Sequence, residues 1–255
     1  MEHFYGTIQG WFDWEHIYSS FVKMAPADTD SVFVELGAWK GKSSAYLATE
    51  IANSGKPIKL HVVDAWDGRG HTNNDGTAEY CAYELDIKAG LFETFTKHLE
   101  PVAAHYTPVR MDTVEAAAQF EDGSVDLVWI DTTQDYDMVL AEIQAWLPKV
   151  KSGGWIGGHD YTSAPQTVGA AVHAVFSNNF AMHIGCWMHC KDGDSNSIKE
   201  TLFAAMPFSQ AVGPDQSNAY LRSKYAALGA ASPAAGQDIT PDRTDYLRSK
   251  YAVKF

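Results

Sequence analysis

The stretch Glu35-Leu36-Gly37-Ala38-Trp39-Lys40-Gly41-Lys42-Ser43-Ser44 puts an acid, two glycines, two lysines and two serines into one turn. Glycine lets the backbone bend sharply and come close to a ligand. The charges then select the ligand, and three kinds compete. A dinucleotide needs G-x-G-x-x-G, with the second glycine admitting the pyrophosphate. Trp39 and Lys42 stand at the second and third of those positions, which rejects it. A nucleoside triphosphate needs G-x-x-x-x-G-K-[ST]. Gly37 to Ser43 is that pattern short by one residue, and Asp126-Leu127-Val128-Trp129-Ile130-Asp131 looks like its companion acidic strand. The shortened loop cannot lay the same amides around a β-phosphate, and Glu35 would face the anion. S-adenosylmethionine is the third ligand. It carries a sulfonium, an ammonium and no phosphate, so an acidic turn suits it.

The turn needs a strand before it and a helix after it. Val32 to Leu36 is an apolar run bounded by glycine, the pattern of a buried parallel strand. Ser43 to Ala52 carries apolar residues at helical spacing. Strand, turn and helix make half a βαβ unit, and in open α/β sheets the ligand sits at the carboxyl ends of the strands. The next strand, Lys59 to Asp64, ends in an acid that could accept ribose hydroxyls.

An E-x-G-x-x-x-G turn followed by a strand ending in Asp resembles the class I S-adenosylmethionine-dependent methyltransferases, from about Ser31 to Lys191. The resemblance implies a Rossmann-like three-layer α/β/α fold with a seven-stranded, mostly parallel sheet. It implies cofactor contacts from Glu35, Gly37, Ala38, Trp39 and Ser43 at the methionine end and from Asp64 and Ala65 at the ribose. Met111 and Asp112 would meet the adenine. Asp112 also reads as the N-cap of a helix over 113–119, and both roles can hold.

In the resembling fold the strands ending at Asp131 and at His159-Asp160 are neighbours. Two carboxylates and an imidazole would then meet at one end of the sheet, and two readings follow. Asp131, His159 and Asp160 could bind a divalent ion, Mg²⁺ or Mn²⁺ for the oxygen ligands with Zn²⁺ open for the mixed set. Such an ion would hold and acidify an acceptor hydroxyl, as in the metal-dependent catechol-type and macrolide-sugar (macrocin-type) O-methyltransferases. Alternatively His159 is a metal-free general base, with Asp131 beside it. The sequence departs from these relatives at Thr132-Thr133-Gln134, where several have Gly-Asp-His, and at His159, where the catechol-type enzymes have Asp. The expected reaction is methyl transfer to a small-molecule hydroxyl. A non-catalytic scaffold on the same fold is the second reading, and a P-loop-like nucleotide-binding protein the third.

Residues 1–30 read as an N-terminal helical cap, rich in aromatics, that either packs on the sheet or lines the acceptor pocket. Residues 31–195 read as the methyltransferase domain and 196–255 as an extension. Residues 65–76 form a glycine- and asparagine-rich loop in which Trp66 could cover the adenosine and Arg69 meet an acidic acceptor. Further on, the patterns predict a helix over 87–99 and strands over 102–109, 125–130 and 155–158. They also predict helices over 136–147 and 168–176 and a late edge strand over 183–191. Pro148 and Gly153-Gly154 are expected to close the helix that ends at Leu147. His183, Cys186, His189 and Cys190 include zinc ligand types, but a strand would split them between two faces, which favours core cysteines.

Net charge is −13, which argues against nucleic-acid or anionic-membrane partners. Three cysteines suggest no disulfide framework, and no apolar run suits a membrane span. A cytoplasmic protein is expected. In the extension, Tyr220-Leu221-Arg222-Ser223-Lys224-Tyr225-Ala226 recurs as Tyr246 to Ala252 across a linker rich in Ala, Gly, Pro and Ser. Two tethered basic and aromatic copies suit a bivalent docking motif for a protein partner or a second subunit. Short helices packing on the domain would explain them equally.

Overall fold

The computed structural model of the chain describes residues 1–67, 90–162, 167–183 and 185–199. Seven strands form one sheet: β1 (Ser31–Leu36), β2 (Ile58–Asp64), β3 (Thr107–Arg110), β4 (Val125–Ile130), β5 (Val150–Gly158), β6 (Ala181–His183) and β7 (Cys186–Cys190). Their order is β3-β2-β1-β4-β5-β7-β6. β1 to β5 are parallel, and β7 runs antiparallel between β5 and β6. The helices are α1 (Glu15–Met24), α2 (Lys42–Ser54), α3 (Leu91–His98), the single turn α4 (Thr113–Ala116), α5 (Tyr136–Trp146) and α6 (Val168–Phe176).

Side chains alternate across each strand, so an all-apolar strand feeds two cores. Phe33, Leu60, Val62, Leu127 and Trp129 pack one face against Ile17, Phe21, Leu47, Ile51 and Phe95 of α1 to α3. Val34, Leu36, Val63, Val128 and Ile130 pack the other against Val139, Ile143 and Val172 of α5 and α6. The result is the three-layer α/β/α architecture expected from the sequence. Each fully buried side chain of this size contributes roughly 1.5–3 kcal/mol. The first core also takes in Ile8 and Trp14 before α1 and Ile198 after β7. The N-terminal segment is therefore part of the domain's packing. Among the described residues no helix is long and apolar enough to cross a membrane.

Several elements differ from their predicted bounds. Residues Glu100–His105 form a 3-10 helix, so β3 starts at Thr107 rather than at residue 102. Gly153 and Gly154 do not close α5. They lie within β5, where the pairing with β4 shifts register between Val125 and Leu127 and Gly153 takes φ +78. The late strand is a hairpin: Gly185, at φ +74, turns β6 into β7, and β7 is interior rather than at the edge. Residues 68–89, including Arg69 and the start of the predicted 87–99 helix, lie outside the described residues. So do both copies of the repeat.

Candidate functional site

At the carboxyl end of β1, Gly37 takes φ +83, a region that favours glycine. A Cβ at Gly37 would also collide with the backbone carbonyl of Asp131. The Asp131 amide donates to the Leu36 carbonyl at 2.9 Å. The glycine turn and the acid ending β4 are thus in backbone contact, which only a residue without a side chain permits. Gly41, at φ +89, lets α2 start directly over Phe95 and Leu99.

Glu35 lies beneath this turn, fully buried. It accepts the Tyr18 hydroxyl at 2.8 Å and the Ser44 hydroxyl. Burial pushes its carboxyl above the usual range, while the Ser44, Ser43 and Tyr18 hydroxyls pull the other way. Glu35 therefore does not face the open side of the turn but braces the serines that open α2. Asp64 holds the turn from the other side. One oxygen accepts the Ala38 and Trp39 amides at 2.9 and 3.0 Å, and the other accepts the Trp66 amide at 2.7 Å. A carboxylate has about four acceptor positions, so room remains for one hydroxyl of a ribose.

The lysines of the turn do not stand over an anion site. Lys40 reaches Gln9 at 2.6 Å and Lys42 the Gly10 carbonyl at 3.0 Å, both in the N-terminal segment. Asp126 lies at the opposite end of the sheet, where it accepts the Val32 amide and pairs with Lys151. The acidic strand does end beside the turn, at Asp131, but with both lysines drawn to the N-terminal segment the triphosphate pattern is not assembled. Trp66 also departs from expectation. Instead of covering a ligand it is buried against Phe92 and Phe95, and its indole donates to the Trp39 carbonyl. Ala65, between Asp64 and Trp66, is half-buried.

At the next strand end Asp112 caps α4, accepting the Val114 and Glu115 amides. Met111 is half-buried, and its amide donates to the Asp64 carbonyl at 3.1 Å. Met111 and Asp112 therefore sit beside Asp64, in the order a ribose and an adenine would need.

Asp131, His159 and Asp160 come together as the sequence predicted. Their ligand atoms lie within 4.8 Å of one another. His159 Nδ1 is 3.3 Å from Asp160 Oδ1 and 3.8 Å from Asp131 Oδ1. Donors around a six-coordinate ion at about 2.1 Å stand roughly 3 to 4 Å apart; the two imidazole–carboxylate spacings fall in that range, and two carboxylates with one imidazole are donor types that suit Mg²⁺ or Mn²⁺. Asp160 takes φ +56, a strained backbone for a non-glycine residue. That bend returns its carboxylate towards His159. Gln134, which replaces the relatives' histidine, donates to the second Asp160 oxygen at 2.9 Å.

A fourth group, which the sequence reading missed, completes the surround. Asp13 Oδ1 lies 3.3 Å from His159 Nε2, and Trp14 stacks on the imidazole at 4.4 Å. Burial alone would lower the His159 pKa. The close contact with Asp13 and the charges of Asp160, Asp131 and Asp13 outweigh it and hold the ring above its ordinary value. The only trace in the sequence is an acid set among aromatics, Trp11-Phe12-Asp13-Trp14, just before a helix.

Glu142 of α5 was also missed. It is fully buried and accepts the Thr132 hydroxyl at 2.7 Å and the Thr113 hydroxyl at 2.5 Å. It thereby joins the loop after Asp131 to the turn after Asp112. Burial raises its pKa to about 7, against the two threonine hydrogen bonds, with the Asp112 charge adding to the rise.

The zinc-type cluster does not form. Cys186 and Cys190 are buried thiols, His189 stacks on Phe176 and bonds the Asn179 carbonyl, and His183 packs edge-on against His16.

A family model described as a methyltransferase domain matches residues 34–161. No curated protein matches the chain by sequence. Among solved structures, the O-methyltransferase NovP superposes with a TM-score of 0.51 at 16% identity, over 70% of this chain and 79% of that one. A putative O-methyltransferase from Klebsiella pneumoniae gives 0.49 at 13% identity, over 72% and 82%. The calicheamicin methyltransferase CalS11 gives 0.45 at 14%, over 68% and 75%. At such identities the NovP match speaks to the fold.

Proposed function

The chain belongs to this methyltransferase-domain family, and from that membership we propose that it moves the methyl group of S-adenosylmethionine to a hydroxyl of a small molecule, at a site where Asp131, His159 and Asp160 hold a divalent ion. One observation carries the reading. Asp131 belongs to both halves of the site, its backbone against Gly37 of the cofactor turn and its side chain beside His159 and Asp160. A cofactor on the turn therefore delivers its methyl next to the group that receives the acceptor.

In the transfer, the acceptor oxygen attacks the methyl carbon in line with the sulfonium. The C–O bond forms, the C–S bond breaks, and the sulfonium becomes a neutral thioether. The hydroxyl proton must leave before or during attack, and would pass to water once an ion held by Asp131, His159 and Asp160 had lowered its pKa. Gly37, Ala38, Trp39 and Ser43 shape the methionine end, Asp64 takes a ribose hydroxyl, and Met111 and Asp112 flank the adenine. Alignment of the two reactants supplies much of the rate. A divalent ion on Asp131, His159 and Asp160 would lower the pKa of a bound hydroxyl. The surplus of carboxylates around one imidazole supports a cation there.

NovP is an O-methyltransferase, and the hydroxyl acceptor proposed here follows it. The buried thiols of Cys186 and Cys190 suit a reducing, cytoplasmic setting. The repeats at 220–226 and 246–252 are proposed to recruit a protein partner or a second subunit.

The test is transfer of labelled methyl from S-adenosylmethionine to a panel of phenols, sugars and carboxylates. Asp131→Ala and His159→Ala should abolish transfer while cofactor affinity persists. EDTA should stop the reaction and Mg²⁺ or Mn²⁺ restore it. Activity that survives both substitutions would place acceptor activation elsewhere. Activity indifferent to EDTA would return His159 to the role of base. Cofactor binding without transfer to any acceptor would favour the scaffold.

A further inference from the structure

We propose that Asp13 is a positioning residue for the acid–imidazole site: it fixes His159 with its Nε2–H turned to the N-terminal segment, so that ring Nδ1 faces Asp131 and Asp160 as the nitrogen ligand of the divalent ion. The inference rests on the divalent-ion reading above and assigns the N-terminal segment a part in it.

The two nitrogens of the His159 ring meet different partners. An ionised carboxylate only accepts hydrogen bonds. Asp13 Oδ1, 3.3 Å from Nε2, therefore calls for a proton on Nε2. With that proton placed, Nδ1 is the atom left to meet Asp160 at 3.3 Å and Asp131 at 3.8 Å. A lone pair aimed at two carboxylates is repelled unless a cation lies between them, a divalent ion or a second ring proton, and nitrogen-15 spectra tell these apart. Metal-bound histidines commonly donate their second N–H to a carboxylate, which fixes the tautomer and strengthens the ligand nitrogen.

The face of the ring is fixed from the same segment. Trp14, next to Asp13, is almost wholly buried and stacks on the imidazole at 4.4 Å and 29°. Trp14 is itself stacked on Trp129 of β4 at 6.1 Å. The His159 amide donates to the Ile130 carbonyl at 3.1 Å, which holds the backbone end. Both Asp13 oxygens are shielded from water. Burying a carboxylate is costly without a partner, and His159 supplies one.

A segment distant in sequence thus holds edge and face of one ligand. A purely structural contact would need the Asp13–His159 pair but would not require one tautomer. The two cases differ in metal affinity and in the ring nitrogens.

The experiment is calorimetric titration of the full chain with Mn²⁺, for the wild type, Asp13→Ala and Asp13→Asn, with S-adenosylhomocysteine affinity as the check on folding. Asp13→Ala should weaken Mn²⁺ binding about 10- to 100-fold and leave S-adenosylhomocysteine affinity within about twofold. Asp13→Asn keeps an acceptor oxygen and should recover most of the Mn²⁺ affinity. Nitrogen-15 spectra of His159 with Mg²⁺ should show a protonated Nε2 and an unprotonated Nδ1 in the wild type, and a tautomer mixture in Asp13→Ala. If Asp13→Ala binds Mn²⁺ as the wild type does, the positioning role is wrong while the ion site stands. If the wild type binds no Mn²⁺, the ion site is wrong and the inference falls with it.

Discussion

Oδ2 of Asp64 accepts the backbone amide of Trp39 at 3.0 Å, so the acid ending β2 grips the turn leaving β1. Removing it should loosen the turn and take away a ribose contact together. Asp64→Ala is expected to weaken S-adenosylhomocysteine binding at least about tenfold, or 1.4 kcal/mol. Calorimetry reads this directly. Unchanged affinity would take Asp64 out of the cofactor site.

Gly37 gives a second test of the same turn. Its left-handed backbone disfavours any side chain, and a Cβ would strike the Asp131 carbonyl. Gly37→Ala should lower both thermal stability and S-adenosylhomocysteine affinity, because relief requires β1 and β4 to part at the site. A variant with wild-type melting and wild-type affinity would mean that the turn tolerates the shift.

Glu142 makes stability depend on pH in a defined direction. Its folded pKa of about 7 exceeds the ordinary 4.5. The folded state therefore favours the protonated carboxyl, and this contribution is full below pH 4.5 and lost as pH rises through about 7. The loss amounts to roughly 3 kcal/mol for a shift of this size. His16 acts oppositely. Burial lowers its pKa from 6.5 to about 4, so its contribution is present above 6.5 and lost as pH falls through 4. Comparing Glu142→Gln with the wild type cancels His16. Urea denaturation should show the difference between the two growing in favour of the variant from pH 5 to pH 8. A pH-independent difference would contradict the shift.

Much of the fold was legible because buried parallel strands are continuous apolar runs. β4 and α6 fall on their predicted bounds, β1 within a residue and α2 within two. The errors cluster where glycine or proline reads as a break. Gly153-Gly154 sits inside β5, Gly185 splits the late strand, and Pro101 sits in a 3-10 turn that replaces the start of β3. Asp131, His159 and Asp160 were legible because each ends a strand. Asp13 and Glu142 were not, since their roles come from contacts across the fold, and a buried acid on a helix looks in sequence like a solvated one. Gln134 looked like a lost base, whereas it orients Asp160.

The repeats can be tested by truncation, and the packing sets where to cut. Ile198 is in the core and the Ser195 hydroxyl accepts the Cys190 amide at 3.0 Å, so the chain should end after Lys199. Such a chain is expected to bind S-adenosylhomocysteine as the full chain does and to lose partner association or self-association. Deleting one repeat should weaken association much more than twofold, because tethered sites act together. Truncation that unfolds the domain would make the tail part of the core.

Titrating the full chain with S-adenosylhomocysteine, and separately with Mg-ATP, puts the cofactor assignment to its most direct test. Glu35, Asp64 and Asp131 surround the turn with acid, and Lys40 and Lys42 are tied to the N-terminal segment. S-adenosylhomocysteine is therefore expected to bind with micromolar affinity, roughly −8 kcal/mol, with no heat from Mg-ATP at the same concentrations. Tight Mg-ATP binding with no S-adenosylhomocysteine binding would contradict the methyltransferase account.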